Sequence, residues 1–209
     1  MSDLPSTVEI HEEGPREGFQ IEPGPISTVD KVKLIDALSK TGLKHIQACS
    51  FVNPRLVPGW ADAEKVVESF DAHEDVEYTG LYFNGNGLDR ALAFKDKLTI
   101  SGSISLTASE GFTKKNLNRT HAENMAAMER HVMSHLELGI PVNRIGVMAA
   151  FGCNYQGDIS PATVIKTLED GMQIAAQTGA EITLFSLADT MGWAAPHRIE
   201  RVVGEVRNV

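Results

Sequence analysis

The run Glu12-Glu13-Gly14-Pro15-Arg16-Glu17-Gly18-Phe19-Gln20 places acids and a guanidinium within a few positions of one another, between glycines. A carboxylate such as Glu17 is a hard oxygen ligand suited to a divalent cation, Mg²⁺ or Mn²⁺. The donor fork of Arg16 suits a developing oxyanion. The plainer reading of the same run is a solvated turn with surface ion pairs, and spacing alone favours it. Further along, Gln47 and Ser50, the latter opening Ser50-Phe51-Val52-Asn53-Pro54, have the polar reach to orient a substrate or to satisfy local backbone groups. Lys114 and Lys115 with Asn116 can hold phosphate groups, although a Lys-Lys pair is more often an exposed turn. Asp189, followed by Thr190 and Gly192, is a candidate for proton transfer and equally for capping a turn. Cys153 has no cationic neighbour in sequence and reads as a packing residue. His131 and His135 share a helical spacing, but no H-E-x-x-H pattern accompanies them. G-x-G-x-x-G, P-loop and G-x-S-x-G motifs are missing, so dinucleotide, nucleoside-triphosphate and α/β-hydrolase readings lose their usual support.

A single rhythm would position these residues. Short β-branched runs at 8–12, 45–49, 76–83, 98–106, 144–150 and 182–187 alternate with amphipathic helical patterns at 29–41, 62–70, 88–94, 122–138 and 162–178. A last helix is predicted from 196 to the end of the chain. Thr120 with Glu123 predicts a capping box, and Ser160 before Pro161 predicts an N-cap with proline in the first turn. Gly42 and Gly139 stand where helices should stop. Val29, Val32, Leu34, Ile35 and Leu38 lie near one helix face and are predicted to pack in the core. Serial strand–helix units imply parallel strands, with chemistry on the loops after their carboxyl ends. Most of the candidates fall on such loops, while Gln47 lies in the run 45–49 and His131 and His135 in the helical pattern 122–138.

Composition bounds what remains. The chain has 209 residues, 42% hydrophobic and 22% charged, which excludes disorder and coiled coil and fits one domain over 1–209. A net charge of −9 argues against nucleic acid as a partner, though a local basic cluster can still bind an anionic small molecule. There is no apolar run of about 18 residues to cross a membrane, and Met1-Ser-Asp-Leu-Pro does not resemble a signal peptide. Two cysteines make no disulfide framework, which suits a reducing cytoplasm. Six strand–helix units fit an open doubly wound sheet, or a (β/α)8 barrel short of two units.

Taken in order, the loops resemble those of 3-hydroxy-3-methylglutaryl-CoA lyases, and more broadly the DRE-TIM metallolyases. E-x-G-P-R-E-G-F-Q at 12–20 is similar to that family's E-x-G-P-R-D-G-L-Q. Ser50-Phe51-Val52-Asn53-Pro54 resembles S-F-V-S-P, and Phe112-Thr113-Lys114-Lys115-Asn116 resembles F-T-K-K-N. Gly152-Cys153-x-Tyr155-x-Gly157 resembles G-C-P-Y-E-G, and Asp189-Thr190-x-Gly192 resembles G-D-T-I-G. The resemblance implies a TIM (β/α)8 barrel, of which this chain carries about the first six units. It implies a divalent metal, Mg²⁺ or Mn²⁺, an acyl-CoA substrate and a homodimer. The implied reaction is retro-aldol cleavage of a 3-hydroxyacyl-CoA to acetyl-CoA and a keto acid.

Carried over by position, Glu17 becomes the metal ligand and Arg16 the group that stabilises the enolate. Asp189 becomes a proton-transfer residue and Glu12 a catalytic support beside Arg16. Gln20, Gln47, Ser50, Lys114, Lys115 and Asn116 become substrate-binding residues. Three features depart from the lyase pattern. Glu17 replaces an aspartate, as in the related homocitrate synthases. Gln47 stands where the lyases carry an acid. The sequence also stops before the family's metal-binding H-x-H and its G-G-C-P loop, so the expectation is part of a protein of about 300 residues. A Claisen-type condensing enzyme and a non-catalytic CoA-binding relative are the rival expectations. Gly14-Pro15 before Arg16 and Phe19 before Gln20 favour the lyase over T-L-R-[DE]-G-E-Q condensing relatives.

Overall fold

The computed structural model describes residues 6–24 and 26–208, which form two compact units divided after Ile100. The first unit runs β1 (His11–Glu12), α1 (Gly14–Ile21), α2 (Thr28–Leu38), β2 (His45–Ser50), a 3-10 turn at Pro58–Trp60, α3 (Ala63–Ser69), β3 (Glu77–Leu81) and α4 (Gly85–Leu92). Its strands form a parallel sheet in the order β1-β2-β3, with His11 opposite His45 and His45 opposite Glu77. The second unit runs β4 (Gly102–Thr107), α5 (Glu110–Leu117), α6 (His121–Glu137), β5 (Val142–Met148), α7 (Pro161–Thr178), β6 (Leu184–Leu187) and α8 (Pro196–Arg207). It too has a parallel sheet, in the order β4-β5-β6. The predicted β/α alternation is therefore present in each unit. No helix among the described residues is long and apolar enough to cross a membrane.

Two expected loops are helices. α1 occupies the Glu-Gly-Pro-Arg run, starting on Pro15, whose fixed φ suits a first turn. Gly14 and Gly18 conceal it from a propensity reading, since glycine is a poor helix former. α5 is short and opens on Ser109, whose side chain accepts from the Phe112 amide at 3.1 Å; its last turn carries Lys114 and Lys115, which complement the helix dipole. The fourth strand starts at Gly102 rather than at 98, and the first is confined to His11–Glu12. The expected caps are present: Thr120 and Glu123 form the capping box, and Ser160 accepts from the Thr163 amide ahead of Pro161. Gly42 and Gly139 adopt φ of +90° and +69° just past α2 and α6.

The predicted apolar stripe of α2 is corrected in part. Ile35 is fully buried and Val32 and Leu38 pack beside it, but Val29 is 74% exposed and Leu34 is 38% exposed. The reason is a buried charge on the same helix. Lys31 is 2% exposed; its Nζ donates to Asp62 Oδ1 and to the Gly59 carbonyl, each at 2.5 Å, and lies 4.7 Å from the Trp60 ring centroid. The helix turns this residue inward at the expense of Val29 and Leu34. The core of the first unit sets Ile46 and Ala48 of β2 against Ile35, Trp60, Val66, Val67 and Phe70. His45 and Gln47 alternate with them and are half-buried. The second unit buries Ile104, Leu106, Val132, Ile145, Val147, Val164 and Ile174.

An ammonium removed from water needs compensation by charge and hydrogen bonds. Burial alone would raise the pKa of Asp62, but hydrogen bonds from Lys31 and Thr28, with the charge of Lys31, outweigh it and hold the carboxyl below its ordinary value. A lowered folded-state pKa stabilises fully above the unfolded value near 3.9 and is lost as pH falls through the folded one. Asp62→Ala should therefore lower the urea unfolding free energy by about 3 kcal/mol near pH 7. It should also flatten the acid limb of the stability–pH curve below about pH 4. An unchanged unfolding midpoint would contradict the role given to this pair.

Candidate active site

α1 begins directly after β1 and places Arg16 against the sheet. Arg16 Nε donates to Gln47 Oε1 at 2.5 Å, its Nη2 donates to Glu13 Oε2 at 2.8 Å, and its Nη1 donates to Glu17 Oε2. The side chain of Arg16 is 12% exposed, while those of Glu13 and Glu17 are about half exposed. The backbone is fixed as well, because Trp60 Nε1 donates to the Arg16 carbonyl at 3.0 Å. The fork is thus tied on three sides before any substrate arrives, which is the preorganisation that oxyanion stabilisation needs. Arg16 and Glu17, expected together, are in contact, and Gln47, expected as a substrate-binding residue, is a direct partner of Arg16.

Glu12 is arranged differently from its expected support of Arg16. Its Oε1 accepts from the Gly14 amide at 2.5 Å, so it braces the turn into α1, and Glu13 takes the place beside the guanidinium. Two other predicted residues carry an unpartnered polar atom. Ser50 Oγ, at the carboxyl end of β2, and Gln20 Oε1, on α1, are buried without a hydrogen-bond partner among the described residues. Orphaned buried polar atoms are costly unless a ligand or water completes them. The loop after β2 is braced by Arg90, which grips Glu64 through Nε and Nη2 at 2.5 and 3.0 Å and donates to the Val52 carbonyl at 3.0 Å. The Arg90 hydrogen bond is also the main reason that Glu64 stays ionised below its usual range.

In the second unit, both oxygens of Asp189 are engaged. Oδ1 accepts from the Trp193 amide at 2.7 Å and Oδ2 from the Ala194 amide at 2.9 Å, so the carboxylate folds the loop after β6 around itself. Trp193 lies on Gly152, where a Cβ would come within 2.5 Å of the indole, and donates to Asn154 Oδ1 at 2.8 Å. Thr190 Oγ1 accepts from the amide of Ala149, which holds a left-handed φ of 55°, a conformation costly for a side-chain-bearing residue. Lys114, Lys115 and Asn116 are exposed on α5. That helix is tied to the loop after β5 by Gln156 Oε1, which accepts from Ser109 Oγ at 3.2 Å and from the Gly111 amide at 3.4 Å.

Cys49 and Cys153 are free and fully buried, as packing residues. His131 and His135 sit against each other with ring centroids 4.0 Å apart, and burial, then the neighbouring His135, pushes the His131 pKa down to about 4. Sequence reasoning missed Glu13 as the partner of Arg16, Trp60 as the anchor of its carbonyl, and Arg90 as the brace of the second loop. Only Glu13 offered a signal, three positions before Arg16 on what proves to be a helix; the contacts of Trp60 and Arg90 span more than 35 residues.

The HMGL-like family model matches residues 7–209. The chain is 33% identical over 199 residues to a hydroxymethylglutaryl-CoA lyase of Bacillus subtilis, covering 95% of this chain and 63% of that protein. It is 36% identical over 207 residues to the cytoplasmic 3-hydroxy-3-methylglutaryl-CoA lyase of Homo sapiens, covering 99% of this chain and 53% of that protein. Among solved structures, the hydroxymethylglutaryl-CoA lyase from Pseudomonas aeruginosa is similar at a TM-score of 0.85 and 28% identity, over 99% of this chain and 66% of that one. An HMG-CoA lyase from Acinetobacter baumannii, in complex with coenzyme A and 3-methylmalate, is similar at a TM-score of 0.80 and 31% identity, over 100% of this chain and 65% of that one. The chain thus spans between about half and two thirds of the length of these relatives.

The burial of the two cysteines sets a clear expectation. Burial first, and then the charge of Glu64, pushes the Cys49 thiol well above its usual pKa, against a smaller opposing pull from Arg90. A thiol reagent near pH 8 should label neither cysteine in the native protein, and both once it is denatured. Fast native labelling of Cys153 would contradict its packing role and revive it as a reactive thiol.

Proposed function

Because the chain belongs to the HMGL-like family, we propose that the protein is a metal-dependent carbon–carbon lyase that cleaves 3-hydroxy-3-methylglutaryl-CoA, or a closely related 3-hydroxyacyl-CoA. We further propose one catalytic domain over 1–209, built as the first six units of a (β/α)8 barrel. The two parallel sheets and the likeness to solved lyases support that reading. The observation that carries the function is the fixed Arg16 fork beside Glu17 and Gln47 at the first β/α junction. The lyase solved with coenzyme A supports an acyl-CoA as the substrate class.

The reaction removes the proton of the 3-hydroxyl and breaks the bond between C2 and C3. The electron pair moves onto the thioester as an enolate, while C3 becomes the carbonyl of the keto acid. Protonation at C2 then yields acetyl-CoA. Arg16 lowers the cost of the enolate by presenting donors to its oxygen from a site already ordered by Gln47, Glu13 and Trp60. Gln47 holds that fork through a neutral amide oxygen, so it positions the charge without cancelling it. Asp189 serves proton transfer at the 3-hydroxyl; amide donors to both its oxygens orient it and still leave lone pairs to accept a proton. Ser50 and Gln20 find in the acyl group the partners their buried polar atoms lack. Lys114, Lys115 and Asn116, exposed on α5, would take the phosphates of coenzyme A, and Glu12 keeps the α1 turn in shape.

The donor set suits the family's divalent cation. Glu17, half exposed beside Arg16, offers a carboxylate, the hard oxygen type that Mg²⁺ and Mn²⁺ prefer. When bound, the cation supplies Lewis acidity to the hydroxyl and nascent carbonyl oxygens. Glu17 is the residue of this chain that would hold it.

The full-length gene product, supplied with Mg²⁺ or Mn²⁺, should release acetyl-CoA from at least one member of a panel of 3-hydroxyacyl-CoAs. Arg16→Met should lower kcat about 10²- to 10³-fold in protein that circular dichroism shows to be folded. Folded protein that turns over no member of the panel would refute the lyase reading.

A further inference from the structure

His11, His45 and Glu77 are the first residues of β1, β2 and β3, and the register of the parallel sheet sets them opposite one another in a row. This row lies at the amino ends of the strands, whereas Arg16 and Glu17 follow the carboxyl end of β1. The His11 and His45 rings are stacked, with centroids 4.0 Å apart and planes 3° from parallel. Glu9, two residues before His11, completes the group: its Oε1 lies 2.6 Å from His45 Nε2. On the far side of the same ring, Glu77 Oε2 lies 2.7 Å from Nδ1. One ligating atom from each of Glu9, His11 and His45 falls within 4.8 Å of the others.

The donor arithmetic of His45 singles out this cluster. A neutral imidazole carries one N–H and can satisfy only one of two carboxylates. With Nδ1–H given to Glu77, Nε2 faces Glu9, itself an acceptor, so the contact needs either a second ring proton or a metal ion between the two. A carboxylate that takes the remote ring proton and directs the other nitrogen outward is the arrangement that orients metal-ligating histidines. We propose that Glu9, His11 and His45 form a binding site for a Zn²⁺-type transition-metal ion, with Glu77 as the residue that orients His45.

The chemistry selects the class of ion. Two imidazoles and a carboxylate suit Zn²⁺, Ni²⁺ or Cu²⁺, whereas Mg²⁺ and Ca²⁺ prefer oxygen-only sets. The site therefore differs in position and in metal preference from the hard-oxygen group around Glu17. Ligand atoms in a tetrahedral zinc site stand roughly 3.4 Å apart, given Zn–ligand distances of about 2.0–2.2 Å. Glu9 and His11 are exposed and His45 is only partly buried, so side-chain rotations that unstack the rings bring the three atoms to that spacing without moving the sheet. A metal here would clasp the segment before β1 to the edge of β2, stiffening the sheet on which α1 stands.

The test uses the full-length protein without an affinity tag, stripped of metal, titrated with Co²⁺ and then Zn²⁺. The parent should take up one Co²⁺ at this site, with visible d–d absorption that Zn²⁺ displaces. Glu17→Ala should keep that band, and its melting temperature should rise with Zn²⁺. His11→Asn and His45→Asn should each lose one bound metal and the band, and Glu77→Gln should bind about 10- to 100-fold more weakly. His11 is exposed, so His11→Asn remains informative if His45→Asn fails to fold. Equal Co²⁺ stoichiometry and spectrum in the parent and in His11→Asn would overturn the proposal, as would a parent that retains no Co²⁺ beyond what Glu17→Ala removes. Neither result would bear on the lyase reading.

Discussion

One guanidinium orders the first unit. Arg16 is nearly buried, and a buried cation is stable only where neighbours satisfy it; here they come from β2 and from α1 with its N-cap. β2 supplies Gln47 and α1 supplies Glu13 and Glu17, while Trp60, in the turn before α3, takes the backbone carbonyl. Trp60 is itself held beneath Lys31, whose ammonium stands over the ring and is tied to Asp62 and Gly59. A chain of contacts thus runs from α2 through the indole to the residue best placed for chemistry. The guanidinium is positioned by the same packing that closes the core, so little reorganisation is left for the moment of reaction.

The strand alternation explains why polar residues can line the sheet. In β2, Ile46 and Ala48 pack under the helices, and His45 and Gln47 point to the other face. Gln47 serves Arg16, and His45, two residues earlier, meets Glu9 and Glu77. One strand face therefore presents two polar groupings at different depths. Gln47 is also where the chain departs from the lyase pattern. An acid there would set a third carboxylate on Arg16, whereas the amide of Gln47 holds Nε and adds no charge to the ion pairs with Glu13 and Glu17. In the second unit the loops after β5 and β6 are joined by Trp193 on Gly152 and by Thr190 on the strained Ala149.

Much of this was legible in the residues, for identifiable reasons. The β/α rhythm, the Thr120–Glu123 box and the Ser160–Pro161 start are local signals, and each is present. Arg16 and Glu17 are neighbours in the motif itself, whereas the contact of Gln47 with Arg16 spans 31 residues and appears only in the fold. α1 was hidden because Gly14 and Gly18 weaken its helical pattern, and α5 because eight residues are too few for a clear period. Val29 and Leu34 face outward because Lys31 is taken inside, and no periodicity rule foresees a buried lysine. The turn of Glu12 onto Gly14 and the double engagement of Asp189 are matters of rotamer and loop closure, which spacing does not encode.

Stabilisation of a thioester enolate by Arg16 is the step on which the proposed lyase reaction turns. Proton exchange isolates that step from the choice of acyl substrate: the full-length protein, incubated with acetyl-CoA in D₂O and a divalent cation, is followed by mass spectrometry of the acetyl methyl group. Deuterium should enter the methyl group with the parent enzyme and not with folded Arg16→Met. Undiminished exchange in that variant would contradict this role of Arg16.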